Sequence, residues 1–381
     1  MAWTDGGGLV NDSTTPMAVD APSFGRFFLP GPTEVHPDVI AAMQRAMIPH
    51  RGKEMVELFE RMEQPLKRLF RTERSVYIGT CSATGFMEMA VRSGVRQRAL
   101  SLVGGAFGER FAALVQATGR DAIRLAVQPG RTIEPDMLRD ALDRSDVDAV
   151  TLVHSETATG ALAPLEELAA VVHERDGVLL LVDAVTSLGG TTVETDAWHL
   201  DFVLTGSQKA LALPPGLAFA VASERMIERA KKIPERGGYL DVIAFEQAAA
   251  DHQPTNTPAI PQLFALDAQL ARIGRAGGVE ERWRRHAAMQ RVVERWIDGR
   301  GGELGFSFLP PAGRRSPTVS CLRVPDGEHG RELVQRVKQE GWTLGTGYGP
   351  LKPTTLRVGH MGDHTPEAVQ QVLDVLASVV S

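Results

Sequence analysis

The chain has 381 residues, more than one hydrophobic core usually holds, so two domains are expected. Its 41 basic and 47 acidic side chains give a formal charge of −6, which offers no global field for nucleic acid or an anionic membrane and points to small molecules or another copy of the chain as partners. Two cysteines, Cys81 and Cys321, are too few for a disulfide framework and lack metal-ligand spacing, so no metal is expected.

Residues 1–25 are rich in Gly, Asp, Ser, Thr and Pro and read as a flexible arm. They carry neither a charged leader nor a continuous apolar stretch, and no later apolar run approaches the ~20 residues that span a bilayer. A soluble, cytoplasmic protein is expected. FFLPGPTEVHPDVIAAMQRAM predicts a short extended run, a rigid turn at Pro30-Gly31-Pro32 that brings backbone near a site, and a helix with Pro37 in its first turn. EMVELFERMEQPLKRLFRT predicts an amphipathic helix, bent or restarted at Pro65.

SVYIGTCSATGFMEMAVRSGV reads as a strand, a small-residue turn and a helix. Amides at that helix start, helped by the Ser82 and Thr84 hydroxyls, suit a phosphate, although an ordinary helix cap has the same pattern. The turn lacks the glycine spacing and lysine of a P-loop, which argues against a nucleoside triphosphate. From Ala99 onward strand and helix alternate, which predicts an α/β fold with a mostly parallel sheet covered on both faces. Phe107 follows one strand in a Gly-flanked loop, where it is either core or a platform for a flat ring. His154-Ser155-Glu156-Thr157 follows another, with His154 read as structural.

The stretch from Val178 to Gly216 organises the rest. VLLLV and FVL are apolar runs of strand length, the first stopping at Asp183 and the second shortly before Ser207-Gln208-Lys209. Carboxyl ends of strands in an open α/β sheet line the ligand crevice, so one carboxylate and one amine reach the same place. That pairing suggests pyridoxal phosphate, which needs a lysine for its Schiff base and an acid beside its pyridine nitrogen. Taken alone, Lys209 also reads as a solvated or paired lysine, and Asp183 as a helix cap.

Beyond the lysine, a Pro-rich irregular region crosses to a second unit. VEERWRRHAAMQRVVERWID predicts an amphipathic helix with Trp283, Ala287 and Trp296 on one face and Arg282, Arg284 and Arg285 on its solvated side, mixed with glutamates. In the smaller α+β unit, Arg357 follows a short strand and precedes VGHMG; its guanidinium suits a carboxylate held by two parallel hydrogen bonds, or an internal ion pair.

Together and in this order, LPGPTEV, SATGF, GGAFGERF, HSETATGALAP, LLVDAVTSLGG, GSQKALALPPG, NTPAIPQLFAL and LRVGHMGDHT resemble the class V aminotransferases, fold-type I pyridoxal-phosphate enzymes that include alanine-glyoxylate and serine-glyoxylate (serine-pyruvate) aminotransferases. The resemblance runs from about Arg26 to the C-terminus. It implies a large cofactor-binding domain over residues 26–262, its N-terminal segment contacting a small domain over residues 263–381. It implies Lys209 and Asp183 as the catalytic pair, with Val185 under the cofactor ring and Phe107 on its other face. Ser82, Thr84, Gly85, Phe86 and Gln208 would surround the phosphate and Thr157 the ring hydroxyl. Arg357 would bind the substrate carboxylate beside Pro30 and Gly31, and Thr257 would reach the neighbouring subunit's cofactor across a homodimer interface.

Two positions depart from the family pattern: Ala83 replaces a glycine in the phosphate turn, and Pro254 stands where some relatives carry a tyrosine. The implied reaction moves the amino group of a small L-amino acid, alanine or serine, to a 2-oxo acid such as glyoxylate or pyruvate. Aminoethylphosphonate transamination, cysteine desulfuration and a non-catalytic scaffold are the alternatives, the desulfurase disfavoured because Cys321 lies in the strand-like TVSCLRV.

Overall fold

The computed structural model describes residues 24–380, so nearly all of the expected arm lies outside the described residues. Seven strands form the larger sheet, in the order Tyr77–Gly79, Ala218–Ala222, Phe202–Gly206, Leu179–Asp183, Ala149–Val153, Arg98–Val103 and Asp121–Ala126. Only Ala218–Ala222 runs against the others. Alternate residues feed two separate cores. Leu180, Val182, Val203, Phe219 and Val221 pack on one face, and Leu179, Leu181, Phe202, Leu204 and Ala220 on the other. This is why the strands read as unbroken apolar runs rather than alternating ones. Each fully buried Leu or Val contributes about 2 kcal/mol, so both faces must be covered for such a sheet to exist.

The helix Lys53–Phe70 covers the first face with Met55, Leu58, Met62, Leu66 and Leu69. It runs through Pro65 without the expected interruption; the buried stripe on either side of the proline keeps the helix on the sheet. The preceding helix is shorter than its apolar spacing suggests, ending at Ala42. A further helix, Val242–Ala250, forms inside the segment read as irregular and packs on the second face through Val242 and Phe245.

The smaller sheet has the order Phe27–Phe28, Thr343–Thr346, Thr355–Val358, Ser320–Arg323 and Ser307–Phe308. Its first strand comes from the N-terminal segment, which pairs in parallel with Thr343 and Leu344. The boundary expected at residue 262 falls inside the helix Ile260–Arg275, whose Leu263, Phe264, Leu266 and Leu270 join the large-sheet core. Apart from Phe28, the small core starts at Met289, in the helix Gly278–Trp296. The physical division between the cores therefore lies within that later helix. Among the described residues no helix is long and apolar enough to cross a membrane.

Gly359 sits where the two units and the N-terminal segment meet. Its N–H donates to Phe28 O at 2.8 Å, and a Cβ there would run into the Leu29 carbonyl. Gly359→Ala should therefore push the Leu29–Pro30 segment off the small sheet at a cost of about 1–3 kcal/mol. Thermal unfolding is expected to move down by several degrees, with faster proteolysis before residue 36; an unchanged transition would show that the segment can shift freely.

Candidate active site

Asp183 and Lys209 are delivered by neighbouring parallel strands. Asp183 ends its strand opposite Leu204, and the adjacent strand stops at Gly206, so the turn carrying Lys209 begins beside the carboxylate. Asp183 is buried at 3 % exposure. One carboxylate oxygen accepts the Val185 N–H at 2.8 Å, and the other has no protein donor among the described residues. Burial pushes this carboxyl up to about 6, helped by the charge of Glu156 and opposed by the Val185 amide, Lys209 and Arg110.

The Lys209 amine, also buried, donates to the Pro30 carbonyl. Burial lowers its pKa to about 8, and the Arg357 guanidinium adds to this, against the pull of Asp183 and Glu156. An amine so placed is partly neutral near physiological pH, the form required of a nucleophile or base. Pro30 and Gly31 wall this position; a side chain on Gly31 would collide with the lysine.

Arg357 arrives from the smaller sheet, in the strand Thr355–Val358. Nε donates to Thr346 O at 2.9 Å and Nη1 to Thr157 O at 3.1 Å. Those two bonds fix the guanidinium plane and leave Nη2 without an acceptor among the described residues, open to a carboxylate. The Tyr348 ring lies 5.5 Å from the guanidinium and 5.8 Å from the Phe107 ring, closing one side of the crevice between the units.

Ser82 is the N-cap of the helix Ala83–Gly94, but its side chain makes no capping bond. Gly85 N–H turns back to Ser82 O at 2.8 Å, and the Ala83 and Thr84 amides at the exposed helix start remain open to an external acceptor. Gln208 reaches over Gly206 toward Ala83, which brings its amide to the same turn. Phe86 turns its ring into the core against Phe245, leaving only its main chain near that turn. Thr157 Oγ1 lies 2.6 Å from Thr186 Oγ1, and Val185 is half-buried directly after the carboxylate strand. Thr257 makes no hydrogen bond to these groups among the described residues; it is exposed on a loop that packs against Thr80 and Cys81, beside the Ser82 turn.

Three participants escaped the sequence reading: Glu156, Thr186 and Tyr348. Glu156 is buried, and its carboxylate accepts N–H bonds from Phe107 at 3.0 Å, Gly108 at 3.2 Å and Ala158 at 2.9 Å, tying the Thr157 loop to the helix Ala106–Ala117, in whose first turn Phe107 lies rather than in the expected loop. An acid inside a run of small and hydroxyl residues was the available signal. The expected solvated arginine face is a correction. Arg282 is 4 % exposed and donates to Ala210 O and Asp363, and Arg285 donates to Gly362 O; only Arg284 is left in solvent, paired with Glu281. Burial drives His154 down to about 4, leaving it neutral.

The donor set fits pyridoxal phosphate. A buried carboxylate with one oxygen free can face a protonated pyridine nitrogen, the open amides and Gln208 offer donors to a phosphate, and Lys209, its pKa lowered to about 8, supplies the amine. Among the described residues no three His, Cys, Asp or Glu side chains are grouped to hold a metal ion.

The aminotransferase class-V family matches residues 27–362. An uncharacterised aminotransferase of Methanocaldococcus jannaschii is 36% identical over 340 residues, 88% of this chain and 87% of that protein. Among solved structures, an alanine–glyoxylate aminotransferase from Nostoc sp. superposes with a TM-score of 0.88 at 30% identity, covering 96% of this chain and 97% of that one. An aspartate aminotransferase of subgroup IV from Thermus thermophilus gives 0.85 at 32% identity, covering 93% and 100%. With a mixed sheet of the same fold and a match across most of its length, the chain belongs to the class V aminotransferases and is a pyridoxal-phosphate-dependent transaminase of fold type I.

Proposed function

We propose that this transaminase moves the amino group of alanine or serine to glyoxylate or pyruvate, working as a homodimer in which Thr257 reaches the partner's cofactor. The observation that carries the reading is Arg357, a cation fixed by two backbone carbonyls and near enough to Lys209 for its charge to lower that amine's pKa. With Arg357 as the carboxylate anchor, a crevice lined by Phe107 and Tyr348 suits a small amino acid. The Nostoc structure is an alanine–glyoxylate aminotransferase, which agrees with this choice. Cysteine desulfuration is disfavoured, because burial raises both Cys81 and Cys321 to about 11 and Cys321 sits inside a strand.

Pyridoxal phosphate, when bound, supplies an electrophilic carbon for amine exchange and a conjugated ring that takes up the electron pair released at the substrate's α-carbon. Asp183 holds a proton on the pyridine nitrogen through its free oxygen, keeping that ring electron-withdrawing. Arg357 grips the substrate carboxylate and thereby turns the α-hydrogen toward the lysine. Lys209 Nζ, in its neutral form, would take that proton and later return one. Phe107 and Tyr348 keep water from the crevice.

Mixing the loaded protein with single amino acids tests the assignment. The visible band of the bound cofactor should bleach with alanine or serine and return with glyoxylate; bleaching by aminoethylphosphonate, cysteine or aspartate alone would transfer the assignment to that donor. Lys209→Ala should lower turnover by about 10³-fold or more, and normal transamination in that variant would end the mechanism. Arg357→Leu should raise KM for amino and oxo acids by about 10- to 100-fold while cofactor affinity holds, whereas an unchanged KM would remove Arg357 from carboxylate binding.

The amine's titration gives an independent check. Below its pKa Nζ is charged and unreactive, so acetylation of Lys209 in the cofactor-free protein, followed by peptide mass spectrometry, should rise through a midpoint at about 8 rather than near 10.5. Asp183→Asn removes a charge that favours the ammonium form and should move the midpoint lower still. A midpoint above 10 would mean that the amine is solvated.

A further inference from the structure

The turn that carries Lys209 is gripped at four consecutive carbonyls by groups from outside it. Gln208 O accepts Thr33 N–H at 3.0 Å, and Lys209 O accepts the Thr33 hydroxyl at 3.1 Å. Ala210 O takes two donors from Arg282, Nε at 2.9 Å and Nη2, and Leu211 O takes Gln269 Nε2 at 2.9 Å. The turn itself holds Ala212 at φ 53°, a left-handed conformation that a residue with a Cβ keeps only when its surroundings enforce it.

Asp363 locks the donors in turn. It accepts Arg282 Nη1 at 2.8 Å and Gln269 Nε2 at 3.1 Å, and Arg285 adds a longer contact at 3.4 Å. Burial works to raise this carboxyl, but Arg282, Gln269 and Arg285 outweigh it and hold it at about 2, so it stays charged at any working pH. His286 completes the frame. Its Nε2 accepts Gly362 N–H at 3.0 Å, so Nδ1 carries the proton and donates to Arg282 O at 2.7 Å. Gly362 and Asp363 closely follow the strand that bears Arg357. One short stretch of the smaller unit therefore holds the arginine of the crevice and, through Arg282, the main chain of the lysine.

We propose that Arg282, Gln269 and Asp363 form a positioning clamp that sets Lys209 Nζ against the substrate held by Arg357. The clamp rests on the reading of Lys209 as the cofactor lysine. Its members touch neither cofactor nor substrate and act through the backbone of residues 210 and 211. A buried, fully paired Arg–Asp unit here contributes placement more than net stability, because desolvation of the two ions offsets most of their attraction.

Hydrogen exchange by mass spectrometry on the cofactor-free full chain, with Arg282→Met, Arg282→Lys and Gln269→Leu, tests the clamp. Arg282→Met should speed exchange of amides 208–213 by about tenfold or more, the scale of a lost charged hydrogen bond, while the strand Leu179–Asp183 keeps its protection. In the loaded enzyme, kcat with alanine should fall by about 10- to 100-fold with KM within about twofold, and Arg282→Lys, which keeps one donor and the charge, should recover part of the loss. Should Arg282→Met fail to fold, Gln269→Leu, which removes the bonds to Leu211 O and Asp363 but leaves Arg282 on Ala210 O, should still raise exchange at 211–213. Wild-type exchange over 208–213, or a loss explained wholly by lower cofactor occupancy, overturns the clamp while the function stands. A wild-type protein that shows no visible band with pyridoxal phosphate overturns the assignment of Lys209 and the clamp's catalytic purpose with it.

Discussion

Everything in this structure depends on holding an amine and a carboxylate together out of water. In solution Asp183 and Lys209 would form an ordinary ion pair, both groups charged across the physiological range. Burial moves them toward each other, the acid up to about 6 and the amine down to about 8, so that each stands within reach of losing or gaining a proton. That shift requires a sheet covered on both faces, which is what two apolar cores supply. The apolar runs that identify the strands are thus also the source of the site's chemistry.

The two units contribute different kinds of group. The large sheet provides the acid at the end of one strand, its spacing set by backbone hydrogen bonds, and the amine on the turn that follows the neighbouring strand. The small sheet provides Arg357 and Tyr348, and the N-terminal segment, pairing with that sheet's edge, brings the Pro30 carbonyl to the amine. In the proposed reaction the proton-transfer groups belong to the large unit and the group that meets the substrate carboxylate lies across the crevice from them. This arrangement makes the relative placement of the units a variable that other residues must fix, and Arg282 and Thr33 both reach across to do so.

Much of this was legible in the sequence. Asp183 and Lys209 could be read because each interrupts or follows a strand-length apolar run, and a polar residue at the carboxyl end of a buried strand has few other uses. The parallel sheet followed from the same runs. Arg357 was legible through its motif, and its buried, doubly anchored geometry is additional. The misread residues share one property: their neighbours in sequence are not their neighbours in space. Arg282 lies among Glu280, Glu281, Arg284 and Arg285, a mixture that reads as solvent-facing, yet residues 282, 286, 289, 293 and 296 form the stripe that is buried. The helical period contained the answer, but a charged residue on an apolar stripe is discounted unless its partner is known, and Asp363 is 81 residues away. Tyr348 acquires meaning only across the crevice, beside Arg357 and Phe107, and Thr186 only beside Thr157. Pro65 failed as a breaker because the packing of the helix on either side outweighs one lost hydrogen bond.

Glu156 raises a question of charge balance. A second buried carboxylate near Asp183 pushes that acid toward its protonated form, which works against holding a proton on a pyridine nitrogen. Two features limit the damage. Two backbone amides at the start of the helix Ala106–Ala117 and the Ala158 amide take up the Glu156 charge, and the Arg357 guanidinium offsets it. The carboxylate that secures Phe107 is thereby tolerated, and its residual charge has a use, because it favours the ammonium form of Lys209 and partly cancels the depression that burial imposes. The pKa near 8 is a compromise among burial, two acids and two arginines, and no single neighbour sets it.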